Sequence, residues 1–199
     1  MGRPAKYSDD AILDAALGLV AAEGPQGATV VAIAERLGAP SGSIYHRFVS
    51  RDLVLARLWI RTVRRFQTGF VDALVRPDPD DAARAAVTHV LNWCRQHPDE
   101  ARVLTLYRRD DLVARWPDEL GAELATLNGR VEREVRSFAG RRFGAATAET
   151  VGLTRFALVD LPYAAARQII LDDGPVPEWL GGAVLSAARG ALATGTRPA

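Results

Sequence analysis

Cysteine is almost missing from this 199-residue chain, Cys94 being the only one. An intrachain disulfide is therefore impossible, and the composition suits a reducing, cytoplasmic location. Lysine is as scarce: Lys6 stands alone among 25 basic residues, an excess of arginine that reads as a high-GC coding bias rather than as chemistry. No uncharged run exceeds 11 residues, well short of the roughly 20 that a membrane helix needs. The opening Met-Gly-Arg-Pro-Ala-Lys has no apolar stretch, which predicts no secretory signal. Catalytic signatures are missing too: there is no Gly-x-Ser-x-Gly, no His-Glu-x-x-His and no glycine-rich phosphate loop. The chain accordingly reads as something other than an enzyme. His89, Cys94 and His97 lie close in sequence. On a helix, however, Cys94 falls about 140° and His97 about 80° from His89, too wide a spread for one ion. Neither a metal nor a cofactor is expected.

What is present describes a globular protein: 48% of residues are apolar and 25% charged. That excludes disorder and collagen-like architecture. The net charge of +1 is uneven, about +3 over residues 1–65 and −2 over residues 66–199. A basic head on a mildly acidic body points to an anionic partner for the head.

Apolar residues recur at helical spacing and nowhere alternate convincingly at period two, so the chain is read as all-α, with about nine helices. Ser8 is a helix cap ahead of Asp9 and Asp10, and Ile12, Leu13, Ala16, Leu19 and Val20 form the apolar stripe that follows. Gly24-Pro25 ends that helix. Thr29 caps a second helix, Val30 to Leu37, and a third runs from Ser41 to Phe48 after a Gly38-Ala39-Pro40 turn. Ser50 caps a fourth, ending near Val75. Asp78 caps the next, with Pro79 at its first position, to His97. Pro98 starts a helix to about Arg109, and a short one covers Asp111 to Trp116. Pro117 opens a long helix that frays at Gly140 to Gly144. Thr147 caps another that stops at Asp173-Gly174-Pro175 and should kink at Pro162. The last spans Glu178 to Ala193.

Residues 29–48 carry the function. A helix of eight, a glycine turn and a short helix describe a helix-turn-helix. Ala34 is small where the helices approach, Gly38 supplies the turn, and Ile33, Leu37 and Ile44 fill the space between. Spacing alone is equally compatible with an ordinary helical hairpin. The third helix favours DNA: Ser41, Ser43, Tyr45, His46 and Arg47 are donors suited to phosphates and base edges, and this helix holds no acid.

The stretch from Thr29 through Gly38, Tyr45 and Phe48 to Leu53, with its Ser-basic-x-Leu end and the preceding Gly-Arg-Pro-x-Lys arm, resembles the DNA-binding segment of the TetR family of transcriptional regulators. The close likeness covers roughly residues 8–55. The resemblance implies a helix-turn-helix domain at 1–50 and an effector-binding and dimerisation domain at 51–199. It implies that Thr29, Tyr45 and His46 contact backbone phosphates and that Ser41 and Ser43 lie near bases or phosphates. Arg51, where the family usually has lysine, would hold a phosphate. Arg3 and Lys6 would reach the minor groove or the flanking backbone. Ser41 replaces a frequent basic residue and Pro40 a frequent serine, departures that bear on base reading rather than docking.

For the body, the resemblance implies a homodimer whose recognition helices sit about 34–36 Å apart on a palindromic operator. Small residues on two late helices would form the interface: Leu153, Ala157, Leu161 and Ala164 on one, Leu180, Ala183, Val184, Ala187, Gly190 and Ala191 on the other. It also implies an effector pocket, for which Phe66, Phe70, Trp93, Tyr107, Trp116, Phe156, Asp160 and Tyr163 are candidates. Asp160 is either a pocket group or a surface partner of Arg155 or Arg167. The reading is a DNA-binding repressor released by a small molecule. Its alternative is a ligand-independent regulator whose body serves only dimerisation or partner binding.

Overall fold

Short polar side chains set the helix starts. Ser8, Thr29 and Ser50 each accept the backbone N–H three residues on, from Ala11, Ala32 and Leu53, at 3.1 Å. Asp78 accepts from Asp81 at 2.7 Å. Thr147 and Thr150 cap reciprocally, with bonds of 3.2 and 2.9 Å. Each satisfies an amide that the first helical turn would otherwise leave without a partner.

In a computed structural model, which describes residues 7–171 and 176–195, these starts generate an all-α chain. The helices are α1 (Asp9–Gly27), α2 (Val30–Leu37), α3 (Ser41–Tyr45), α4 (Arg51–Leu74), α5 (Pro79–Gln96), α6 (Pro98–Leu104), α7 (Arg109–Arg115), α8 (Pro117–Leu127), α9 (Gly129–Phe143), α10 (Ala148–Arg155), α11 (Leu161–Leu171) and α12 (Glu178–Ala193), with a π-helical turn at Phe156–Asp160. No strand occurs among the described residues.

The differences from expectation have local causes. Gly24 breaks α1 with φ 72°, but one further turn follows to Gly27. The third helix stops at Tyr45 rather than Phe48, because the Arg47 N–H bonds the Ile44 carbonyl three residues back and tightens the turn. The sixth ends at Leu104 rather than near Arg109: both the amide and the hydroxyl of Thr105 bond the Arg102 carbonyl, a local competitor of helical bonding. The long helix from Pro117 divides at Asn128-Gly129, two weak helix formers. Pro162 does not break its helix sharply. The Leu161 N–H bonds the Phe156 carbonyl, and this wider turn relieves the collision of the proline ring with the preceding turn.

The chain divides into two units. One runs to Val63 and takes in Asp99–Pro117; the other comprises Arg64–Pro98 and the chain from Asp118. In the first, Ile12, Ala16, Val20, Ile33, Ile44, Val54 and Leu58 are fully buried, which accounts for the apolar stripes of α1, α2 and α4. In the second, α5 is central. It packs against α9, α11, α12 and the π turn, and buries Ala82, Ala83, Ala86, Val87, Val90, Leu91, Trp93 and Cys94.

Candidate nucleic-acid interface

The helix-turn-helix is built from inside outward. Val30, Ile33 and Ala34 bury the inner face of α2, and Ile44 of α3 and Phe48 just beyond its end are buried at 0% and 4% exposure. Between them Gly38 takes the left-handed conformation, φ 61° and ψ 36°. The Ala39 N–H bonds the Ala34 carbonyl at 2.9 Å and closes the end of α2. Nothing lies within 4 Å of where a Gly38 Cβ would be, so glycine is required there by backbone angle, not by crowding.

With Ile44 and Phe48 turned in, the other side chains of α3 face out. Tyr45 is 56% exposed. His46 is exposed, Ser41 and Ser43 are half-buried, and Thr29 is exposed at the start of α2. Gly42 lies in open space. The structure therefore brings Thr29, Ser41, Ser43, Tyr45 and His46 onto the two helices of one motif. Arg3 and Lys6 lie outside the described residues.

Three arginines of this unit are engaged within it. Arg47 pairs with Asp9 of α1. Arg51 donates from Nε to the Ala28 carbonyl at 3.1 Å, from Nη2 to the Pro25 carbonyl and from Nη1 to Asp52 at 3.0 Å. Arg61 meets Asp14 at 2.8 Å and Asp10 at 3.4 Å. Sequence reasoning missed these links. It read Asp9 and Asp10 only as partners of the helix dipole, and no periodicity reveals a pair 38 residues apart. Tyr7 is a further addition: its hydroxyl donates to the Gly38 carbonyl at 2.8 Å.

The body candidates do not all gather. Tyr107 and Trp116 lie in the first unit, the rest in the second. Arg115 covers the Trp116 ring at 5.3 Å. The Tyr107 hydroxyl is pushed above its ordinary pKa, first by burial and then by the Asp52 carboxylate. In the second unit Phe66 stacks on Phe70 at 6.0 Å and meets Trp93 edge-on at 5.3 Å. Phe70 is core, 2% exposed. Trp93 borders an open groove of about 560 Å³ between α4 and α5, with Gly69, Asp72, Arg76, Arg84 and Thr88 on its walls. Phe156, Asp160 and Tyr163 instead lie on the outer surface. Of the interface candidates, Ala157, Leu180 and Val184 are buried in their own unit. Leu153, Leu161 and Ala191 are half-buried, and Ala164, Ala183 and Ala187 are exposed.

Among the described residues no helix is long and apolar enough to cross a membrane. No curated protein matches the chain. Residues 12–58 match the family described as bacterial regulatory proteins, tetR family. The fold is similar to that of a TetR transcription regulator from Haloarcula marismortui, with 15% identity, TM-score 0.71 and 94% of this chain covering 96% of that one. It is also similar to a transcriptional regulator from a Rhodococcus species, at 21% identity and TM-score 0.73, covering 97% of this chain and all of the other. The fatty acid degradation regulator FadR of Bacillus halodurans superposes with TM-score 0.66 at 17% identity, over 96% of this chain and 100% of its own. The outward-facing donors of α3 thus sit within a segment, residues 12–58, that matches the tetR family of bacterial regulatory proteins, in a chain whose fold is similar to that of solved TetR-type regulators.

Proposed function

We propose that this chain is a DNA-binding transcription regulator of the TetR type, a repressor that binds a palindromic operator as a homodimer and is released by a small amphipathic molecule. The observation that carries the reading is the outward display of Tyr45 at the end of α3 and His46 just after it, over a buried Ile44 and Phe48. A short helix so anchored can enter a major groove while its hydroxyls and imidazole reach phosphates and base edges. Ser41, Ser43 and Thr29 add donors at the two helix starts. The dimer reading is supported by apolar surface on the helices that the sequence assigns to the interface: Trp179 is 68% exposed, Phe156 51% and Tyr163 43%. Exposed Ala164, Ala183 and Ala187 would let helices approach closely there.

The effector reading is supported by the Phe66–Trp93 cluster and the groove beside it, whose size is that of an ordinary ligand site. Release requires an effector with unequal affinity for two states, and a hundredfold induction corresponds to about 2.7 kcal/mol of coupling. One observation favours the ligand-independent alternative: Phe156, Asp160 and Tyr163 lie on the outer surface.

Selection of random duplex DNA by the purified chain, followed by sequencing and salt titration, tests the proposal. An enriched palindrome with steep salt dependence is expected. Tyr45→Ala with His46→Ala should weaken binding to that palindrome in a folded protein; unchanged affinity would sink the reading. A ligand that lowers operator affinity separates the two alternatives.

A further inference from the structure

We infer that Arg51 is a positioning residue, acting on DNA through the α1–α2 junction rather than by holding a phosphate itself. The inference rests on the DNA-binding reading above and deepens it. Helices leave their last carbonyls without partners and favour a cation there. The last turn of α1 carries no basic residue of its own. Arg51, the first residue of α4, supplies one from outside: its guanidinium holds the Pro25 carbonyl in that final turn and the Ala28 carbonyl just after it. Ala28 is fully buried and directly precedes Thr29, the cap of α2. One side chain therefore joins the end of α1, the start of α2 and the start of α4.

The charge balance points the same way. The Asp52 carboxylate lies 3.0 Å from Arg51, and Arg115 of α7 approaches the other oxygen of Asp52 at 3.7 Å. The Arg51 side chain is only 29% exposed. A phosphate approaching that guanidinium would meet a carboxylate already paired with it. A planar fork with several fixed donors suits a clasp on two carbonyls and a carboxylate, which the single ammonium of lysine would fill less well.

The double variant Arg51→Met with Asp52→Asn leaves the net charge unchanged, so it separates positioning from charge. Operator affinity should fall about tenfold or more, as expected when charge-assisted hydrogen bonds are lost, while the salt dependence keeps its slope. Amide exchange of residues 24–32 in the DNA-free protein should quicken. A slope lower by about 0.9, the signature of one lost phosphate contact, would overturn the inference, as would unchanged affinity or unchanged exchange. If the double variant does not fold, Arg51→Lys is read by the same exchange measurement, and unaltered exchange there overturns the clasp. A wild-type chain that selects no DNA defeats the DNA-binding reading, whereas the exchange measurement judges the clasp without DNA.

Discussion

The Tyr7 hydroxyl and the Gly38 carbonyl are joined by a 2.8 Å hydrogen bond across 31 residues, tying the lead-in of α1 to the turn of the helix-turn-helix. Both residues hold the turn, by different means. Gly38→Ala meets no atom but must keep φ near 61°, so it should cost about 1–2 kcal/mol. Tyr7→Phe removes only the hydroxyl and should cost about 0.5–1.5 kcal/mol. Chemical denaturation of both variants checks the order of the two effects.

Gly69 makes the opposite case. Its φ is ordinary, but a Cβ there would lie 2.4 Å from His89 Cε1. The His89 ring cannot easily withdraw, because it is bonded at 2.9 Å through Nε2 to the Phe66 carbonyl and lies 5.2 Å from the Phe66 ring. Gly69→Ala should therefore destabilise the second unit by about 1–3 kcal/mol through overpacking. A melting temperature equal to wild type would refute this.

His89 also predicts a pH dependence. Burial holds its pKa below the ordinary 6.5, outweighing the opposing Phe66 hydrogen bond and the Asp72 charge. Between the folded value and 6.5 the unfolded chain binds more protons, so stability rises with pH across that window. The contribution is complete above pH 6.5 and fades as pH falls toward the folded value. His89→Gln should flatten this part of the stability profile, as measured by urea denaturation at a series of pH values.

Cys94 should be inert. Burial pushes its thiol up to about 11, against a small opposing effect of Arg95. At pH 8 only about a thousandth of it is thiolate, the reactive form. A thiol reagent should label the folded protein slowly and the urea-unfolded protein at once.

The late helices offer a paired test. Ala187→Arg on an exposed position should convert the proposed dimer to a monomer in light scattering. Val184→Ala, at a 5% exposed core position, should cost about 1–3 kcal/mol and leave the oligomeric state alone. The reverse pattern would mean that the dimer is held elsewhere.

Much of the fold was legible because its signals are local. Thr29, Asp78 and Thr147 each bond an amide three residues away, within any short reading window. A kink was expected at Pro162, but its form was not: the Leu161 N–H reaches back five residues to the Phe156 carbonyl, a wider turn that a proline in a helical pattern does not by itself specify. Within the late helices, Val184 and Ala187 share one small-residue pattern, yet one is buried and the other exposed. Amphipathic spacing finds a face without saying what covers it.

The sequence by itself determined that the chain is helical, where most helices begin, and that residues 29–48 form a helix-turn-helix, since caps, the Gly38 turn and apolar spacing all act within a few residues. Only the tertiary structure decided what the arginines of the head do. Arg51 reaches carbonyls 23 and 26 residues away, and Arg47 reaches Asp9. A long side chain chooses its partner in space, and composition shows only that the charge is there.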